Sequence, residues 1–107
     1  MHHRSRAADV AADIAAAVAA RDPHRLAPAL TETVRLRALL PGGPVQSTGR
    51  ENVAAFLPAL LADFDTAEVL DSSGEDVADR LLIHYRLGLG RGAARWVCTQ
   101  TAVCRVV

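Results

Sequence analysis

The residues able to do chemistry lie in the second half of the chain: Asp71, His84, Tyr85 and Gln100, with the indole N–H of Trp96 near them. An aspartate takes up a proton, a histidine shuttles one near neutral pH, and tyrosine or glutamine polarises a carbonyl by hydrogen bonding. Each role requires the side chain to face a substrate. Side-chain direction along a strand alternates, so the pattern of apolar residues decides which of them face inward.

Arg80 to Leu89 reads as a strand with Leu81, Ile83, Tyr85, Leu87 and Leu89 inward and Leu82, His84, Arg86 and Gly88 outward. On the last strand the uncharged row Trp96, Cys98, Gln100, Ala102, Cys104 and Val106 is assigned to the interior, and Val97, Thr99, Thr101, Val103 and Arg105 to the outside. Alternation from Ala67 through Val69 turns Asp71 inward, which makes it the candidate general base, with Tyr85 or Gln100 polarising a carbonyl. The plain alternative is a strand-end aspartate near solvent. His84 becomes a proton shuttle only if the two faces are exchanged; otherwise it is a partly buried interface residue.

An earlier strand places Val34, Leu36, Ala38 and Leu40 inward, with Arg35 and Arg37 outward. The expected site is therefore apolar: Leu40, Phe56 and Trp96 line it, and Tyr85, Gln100 and the indole N–H supply its polar contacts. Arg35, Arg37, Arg86 and Arg105 read as a solvated or dimer-rim face rather than a phosphate site. Cys98 and Cys104 stand six residues apart on one strand, roughly 20 Å, too far for a disulfide. They read as buried free thiols. No spacing predicts a metal site, and Met1-His2-His3-Arg4 reads as a frayed start.

The elements that must hold these residues begin with an amphipathic helix over 7–20, carried by Val10, Ile14 and Val18 among alanines. Asp22-Pro23 starts a second, short helix, with Asp22 as N-cap and Pro28 interrupting it. A strand over 33–40, the Pro41-Gly42-Gly43-Pro44 turn and a short strand over 45–47 follow. Thr48 and Glu51 stand in capping-box register before a third helix over 49–63, which Pro58 should bend. The remainder reads as an antiparallel meander: 66–73, a turn at 74–79, 80–89, a turn at 90–92, and 93–107. Helices first and strands later predict an α+β class and one domain over 1–107.

Composition narrows function further. Twelve basic residues balance twelve acidic ones, so no net field attracts nucleic acid or an anionic membrane. Every basic residue is arginine, as in a GC-rich bacterial genome, and no lysine is present for Schiff-base chemistry. No apolar stretch approaches the roughly 20 residues that span a bilayer, and Asp9 and Asp13 interrupt the Ala-rich start as a signal-peptide core would not. The expected address is cytoplasmic.

Asp22-Pro23, Pro41-Gly42-Gly43, Gly49-Arg50-Glu51-Asn52-Val53 and Arg95-Trp96-Val97-Cys98-Thr99-Gln100-Thr101, in this order, resemble the nuclear transport factor 2-like superfamily, particularly its SnoaL-like bacterial members. The resemblance spans essentially the whole chain. It implies a cone-shaped, curved, mostly antiparallel sheet wrapped around three helices, an apolar cavity, and a homodimer through the outer sheet face. It also implies either a cofactor-free isomerase, cyclase or hydrolase using Asp71 or His84, or a non-catalytic binding or dimerisation module for a small hydrophobic molecule. A ketosteroid-isomerase-like base would stand at Leu40 and its acid near Ala102, so that mechanism does not carry over. The family's usual last strand has no counterpart after Val107, so a truncated fragment with an unpaired edge is a further reading.

Overall fold

The structure, a computed structural model, describes residues 6–40 and 43–105, of which residues 38–40 and 105 by their backbone alone. The Met1-His2-His3-Arg4 start, the Pro41-Gly42 half of the first turn and Val106 lie outside the described residues. The order of elements is α1 (Arg6–Ala19), α2 (Pro23–Leu26), a 3-10 turn at Ala27–Ala29, β1 (Arg35–Leu40), β2 (Gly43–Thr48), α3 (Arg50–Ala59), β3 (Thr66–Val77), β4 (Arg80–Arg91) and β5 (Ala94–Arg105). All strand pairs are antiparallel. They form two ladders, a β1–β2 hairpin and a sheet of order β3-β4-β5, rather than one continuous sheet.

Local chemistry explains most boundaries. Asp22 caps α2 as its type predicts: its Oδ1 accepts from the backbone N–H of His24 at 3.0 Å and of Arg25 at 3.4 Å, ahead of Pro23. The entrance to α3 differs from the capping box expected of Thr48 and Glu51. Gly49 is the N-cap at φ 93, without any side-chain cap, and Asn52 Nδ2 donates to the Thr48 carbonyl at 2.9 Å. Glycine alone tolerates that backbone, so the sharp exit from β2 takes precedence over the cap. Pro58, which has no N–H to give, brings α3 to an end at Ala59; tight i to i+3 turns through Phe64 follow.

α1 lies across β3 and β4, and its alanines let it lie close. Ala7, Ala11, Ala15 and Val18 are fully buried, beside Ile14 and Ala17. The approach is tightest at Gly74, where an added Cβ would stand 2.3 Å from the backbone of Ala7. That glycine is a packing position inside β3 and not the turn signal it resembles in sequence. β3 consequently runs on to Val77, and the reversal is made by Ala78-Asp79, with Ala78 at φ 56.

Candidate functional site: an open trough along β5

The row of β4 facing the helices is sealed: Leu81, Ile83, Tyr85, Leu87 and Leu89 are all buried, as alternation predicts. The same face of β5 is not. Cys98, Gln100, Ala102 and Cys104 are half-buried and Trp96 is 41% exposed, while the opposite row, Val97, Thr99, Thr101 and Val103, is exposed. The parity read from sequence is therefore right, but the helix layer covers β3 and β4 and leaves the inner row of β5 as an open trough.

Tyr85 is the polar group behind this trough. It stands directly across the ladder from Gln100, and its hydroxyl donates to Gln100 Oε1. Burial pushes the Tyr85 phenol up to about 12, with smaller contributions from Cys98 and Cys104. Burial also raises the Cys104 thiol. Near neutral pH the phenol is thus a hydrogen-bond donor and not a base, and the Gln100 amide N–H₂ is a second donor on the same face.

At the open end, Trp96 packs edge-on against Phe64, with ring centroids 5.5 Å apart at 70°, and the Arg91 guanidinium lies 5.6 Å from the Trp96 centroid. Phe64 and Arg91 were not singled out as site residues from the sequence. Phe64 follows the end of α3 and meets β5.

Asp71 does not face inward. A β-bulge between Val69 and Asp71 shifts the register by one residue, so Asp71 pairs with the outward Arg86 and Ser72 and Gly74 take the inner positions. Arg86 Nε donates to Asp71 Oδ2 at 2.7 Å and Nη2 lies 2.5 Å from the same oxygen, on an exposed face. The carboxylate raises the Arg86 guanidinium, first by hydrogen bonding and then by charge. His84 is also on the outer face, where its Nδ1 shares a 2.9 Å hydrogen bond with Thr101 Oγ1.

The structure therefore brings Tyr85, Gln100 and Trp96 to one face and separates Asp71 and His84 from them. Phe56 is half-buried on α3. The side chain of Leu40 lies outside the described residues. Concavities occur elsewhere: one of about 290 Å³ along the β1–β2 hairpin, lined by Arg35, Arg37 and Gln46 among others, and one of about 370 Å³ around Glu32 and Gly49–Asn52. Neither is lined by Tyr85 or Gln100. Among the described residues no group of histidine, cysteine or carboxylate side chains is placed to hold a metal ion. No helix there is long and apolar enough to cross a membrane.

No family model and no curated protein matches the chain. Solved structures do. A designed protein, Rd1NTF2_04 with a long sheet, is similar at a TM-score of 0.68 and 15% identity, over 91% of this chain and 85% of that one. A structure from de novo design of proteins with diverse pockets matches at 0.58 and 18% identity, over 92% and 86%. A candidate dehydratase from the NTF2-like family of Streptomyces avermitilis matches at 0.58 and 17%, over 90% and 79%. With its helices first and an open antiparallel sheet after them, the chain has the nuclear transport factor 2-like fold.

Proposed function

We propose that this protein is a SnoaL-like domain that binds a small hydrophobic molecule along the inner face of β5. The observation that carries the reading is the uncovered row Trp96, Cys98, Gln100, Ala102 and Cys104 beside a buried Tyr85 hydroxyl held by Gln100. Apolar surface left open on the face that elsewhere forms the core favours an apolar ligand, and a few placed donors orient it. The edge-on rings of Trp96 and Phe64 offer a flat ligand a stacking surface. A carbonyl or hydroxyl on the ligand would meet the Gln100 amide and, after a small rotation, the Tyr85 hydroxyl.

Binding without turnover fits these residues better than acid–base catalysis. Among the described residues none that is buried carries a carboxylate or an imidazole, and the Tyr85 phenol holds its proton up to about 12. A general base must sit within hydrogen-bond reach, about 3 Å, of the proton it removes. The related fold of a candidate dehydratase and of designed pocket proteins is compatible with a small-molecule role here.

The test is a titration of the single tryptophan's fluorescence with a panel of uncharged aromatic ketones and alcohols, paired with native mass spectrometry of the purified protein. Saturable quenching that Gln100→Ala weakens about tenfold supports the reading, since a lost hydrogen bond to a polar ligand group is worth about 1.4 kcal/mol. A panel that leaves Trp96 emission unchanged, with no co-purified small molecule, would contradict it.

A further inference from the structure

We infer that the molecule bound along β5 is an apolar acid, held with its carboxylate against Arg91 and its flat body along Trp96 and Phe64. This ligand class rests on the trough binding proposed above and adds to it the charge of the ligand and the direction in which it lies. The first observation is the register of the strands. β4 and β5 pair without a break as far as Arg91 and Ala94, so alternation carries the inner row of β4 past Leu87 and Leu89 to Arg91. In the two inner rows, Leu81 to Arg91 and Ala94 to Cys104, Arg91 is the one charged side chain among the described residues.

The second observation is what Arg91 touches. Its guanidinium lies 5.6 Å from the centroid of Trp96, the ring that meets Phe64 edge-on. A guanidinium resting on an aromatic ring keeps the N–H donors of its rim for a carboxylate, which it can hold by two parallel hydrogen bonds. No carboxylate of the protein takes that place. Among the described residues the ion pairs are Arg86 with Asp71 and Arg80 with Asp79, and neither involves Arg91. The carboxylate at the same turn, Asp65, accepts from the Gly92 N–H at 2.7 Å.

The neighbouring arginine is a poorer anchor. Arg95 stands opposite Gly90 in the outer row, and its Nη1 donates to the carbonyls of Gly92 and Ala94, each at 2.9 Å. A cation at one end of an otherwise uncharged face favours a ligand with an anionic group on an apolar body over a neutral ligand of the same shape. Arg91 is exposed, so water and salt weaken the pair and the preference it confers is modest. Gln100 follows Trp96 by four residues, roughly 13 Å along the strand, so it orients the far end of a longer ligand and leaves the acid to Arg91.

Isothermal titration calorimetry with trans-cinnamate, cinnamyl alcohol and cinnamylamine tests this, since the three share one flat body and differ in charge. Cinnamate is expected to bind about fivefold more tightly than the alcohol at low salt, and the amine more weakly than either. The readout is the acid-to-alcohol ratio rather than the affinity itself, because removing the guanidinium also changes how Trp96 is held. Arg91→Gln should bring that ratio to about one, whereas Arg91→Lys should keep part of it, and added sodium chloride should lower it in the wild type. Arg91 is exposed, and circular dichroism checks that both variants fold. Equal binding of acid and alcohol by the wild type, or a preference that survives Arg91→Gln, overturns the inference, while binding of the alcohol still upholds the trough. No binding of any of the three overturns the ligand class, and the ketone and alcohol panel on Trp96 then decides the trough by itself.

Discussion

The two strands that flank β4 are built in opposite ways. β3 is bulged between Val69 and Asp71, carries Glu68, Asp71, Glu75 and Asp76, and lies under α1, with Gly74 against the backbone of Ala7. β5 is equally long, regular, β-branched, and half-covered at most on its inner row. The inner face of β3 is covered by α1, and that of β5 is left open. Since both strands pair with the same β4, the difference comes from their own residues and from where the helix lies, not from the sheet.

The contrast breaks most severely at Gly74. Gly74→Val should cost about 3 kcal/mol in chemical denaturation, because the obstructing atoms are the backbone of Ala7 and Ala8 and cannot rotate away. A cost near zero would mean that α1 is not seated on β3.

A somewhat smaller effect sharpens the boundary between the sealed row of β4 and the open row of β5. The folded-state phenol of Tyr85 is raised to about 12 from 10.0. The native state therefore holds a proton that the unfolded chain loses first. The associated stability is fully present below pH 10 and disappears as pH rises toward 12. At roughly 1.4 kcal/mol per unit this amounts to between 2 and 3 kcal/mol, on the order of magnitude. Alkaline unfolding should follow that window in the wild type and flatten over it in Tyr85→Phe.

Smaller still is the effect expected on the exposed row of β5. Val97→Lys should change stability by no more than about 0.5 kcal/mol in denaturant titration, as for other exposed sites. Asp71→Asn should leave both stability and ligand quenching of Trp96 unchanged, since its pair with Arg86 is exposed and on the far face. Loss of ligand binding in Asp71→Asn would reinstate it as a site residue.

Much of this arrangement was legible in the sequence. The apolar alternation from Leu81 to Leu89 and the uncharged row from Trp96 to Cys104 predict their faces correctly, because both strands pair without a bulge. Asp22-Pro23 predicts a cap that is there. Asp71 was misplaced because a bulge inverts parity and Val69-Leu70-Asp71 carries no local signal for one. Gly74 misleads because a glycine needed for close helix approach looks like a glycine needed for a turn. The openness of the trough was not legible at all. It depends on how far α1 reaches across the sheet, a tertiary property that strand alternation does not encode.

The most direct test of the account is amide hydrogen exchange read by mass spectrometry on peptides covering β3 and β5, with and without a saturating aromatic ketone that quenches Trp96. The covered-face, open-face account predicts that the ligand raises protection of β5 while that of β3 stays constant. Equal change in the two strands, or none in β5, would contradict it.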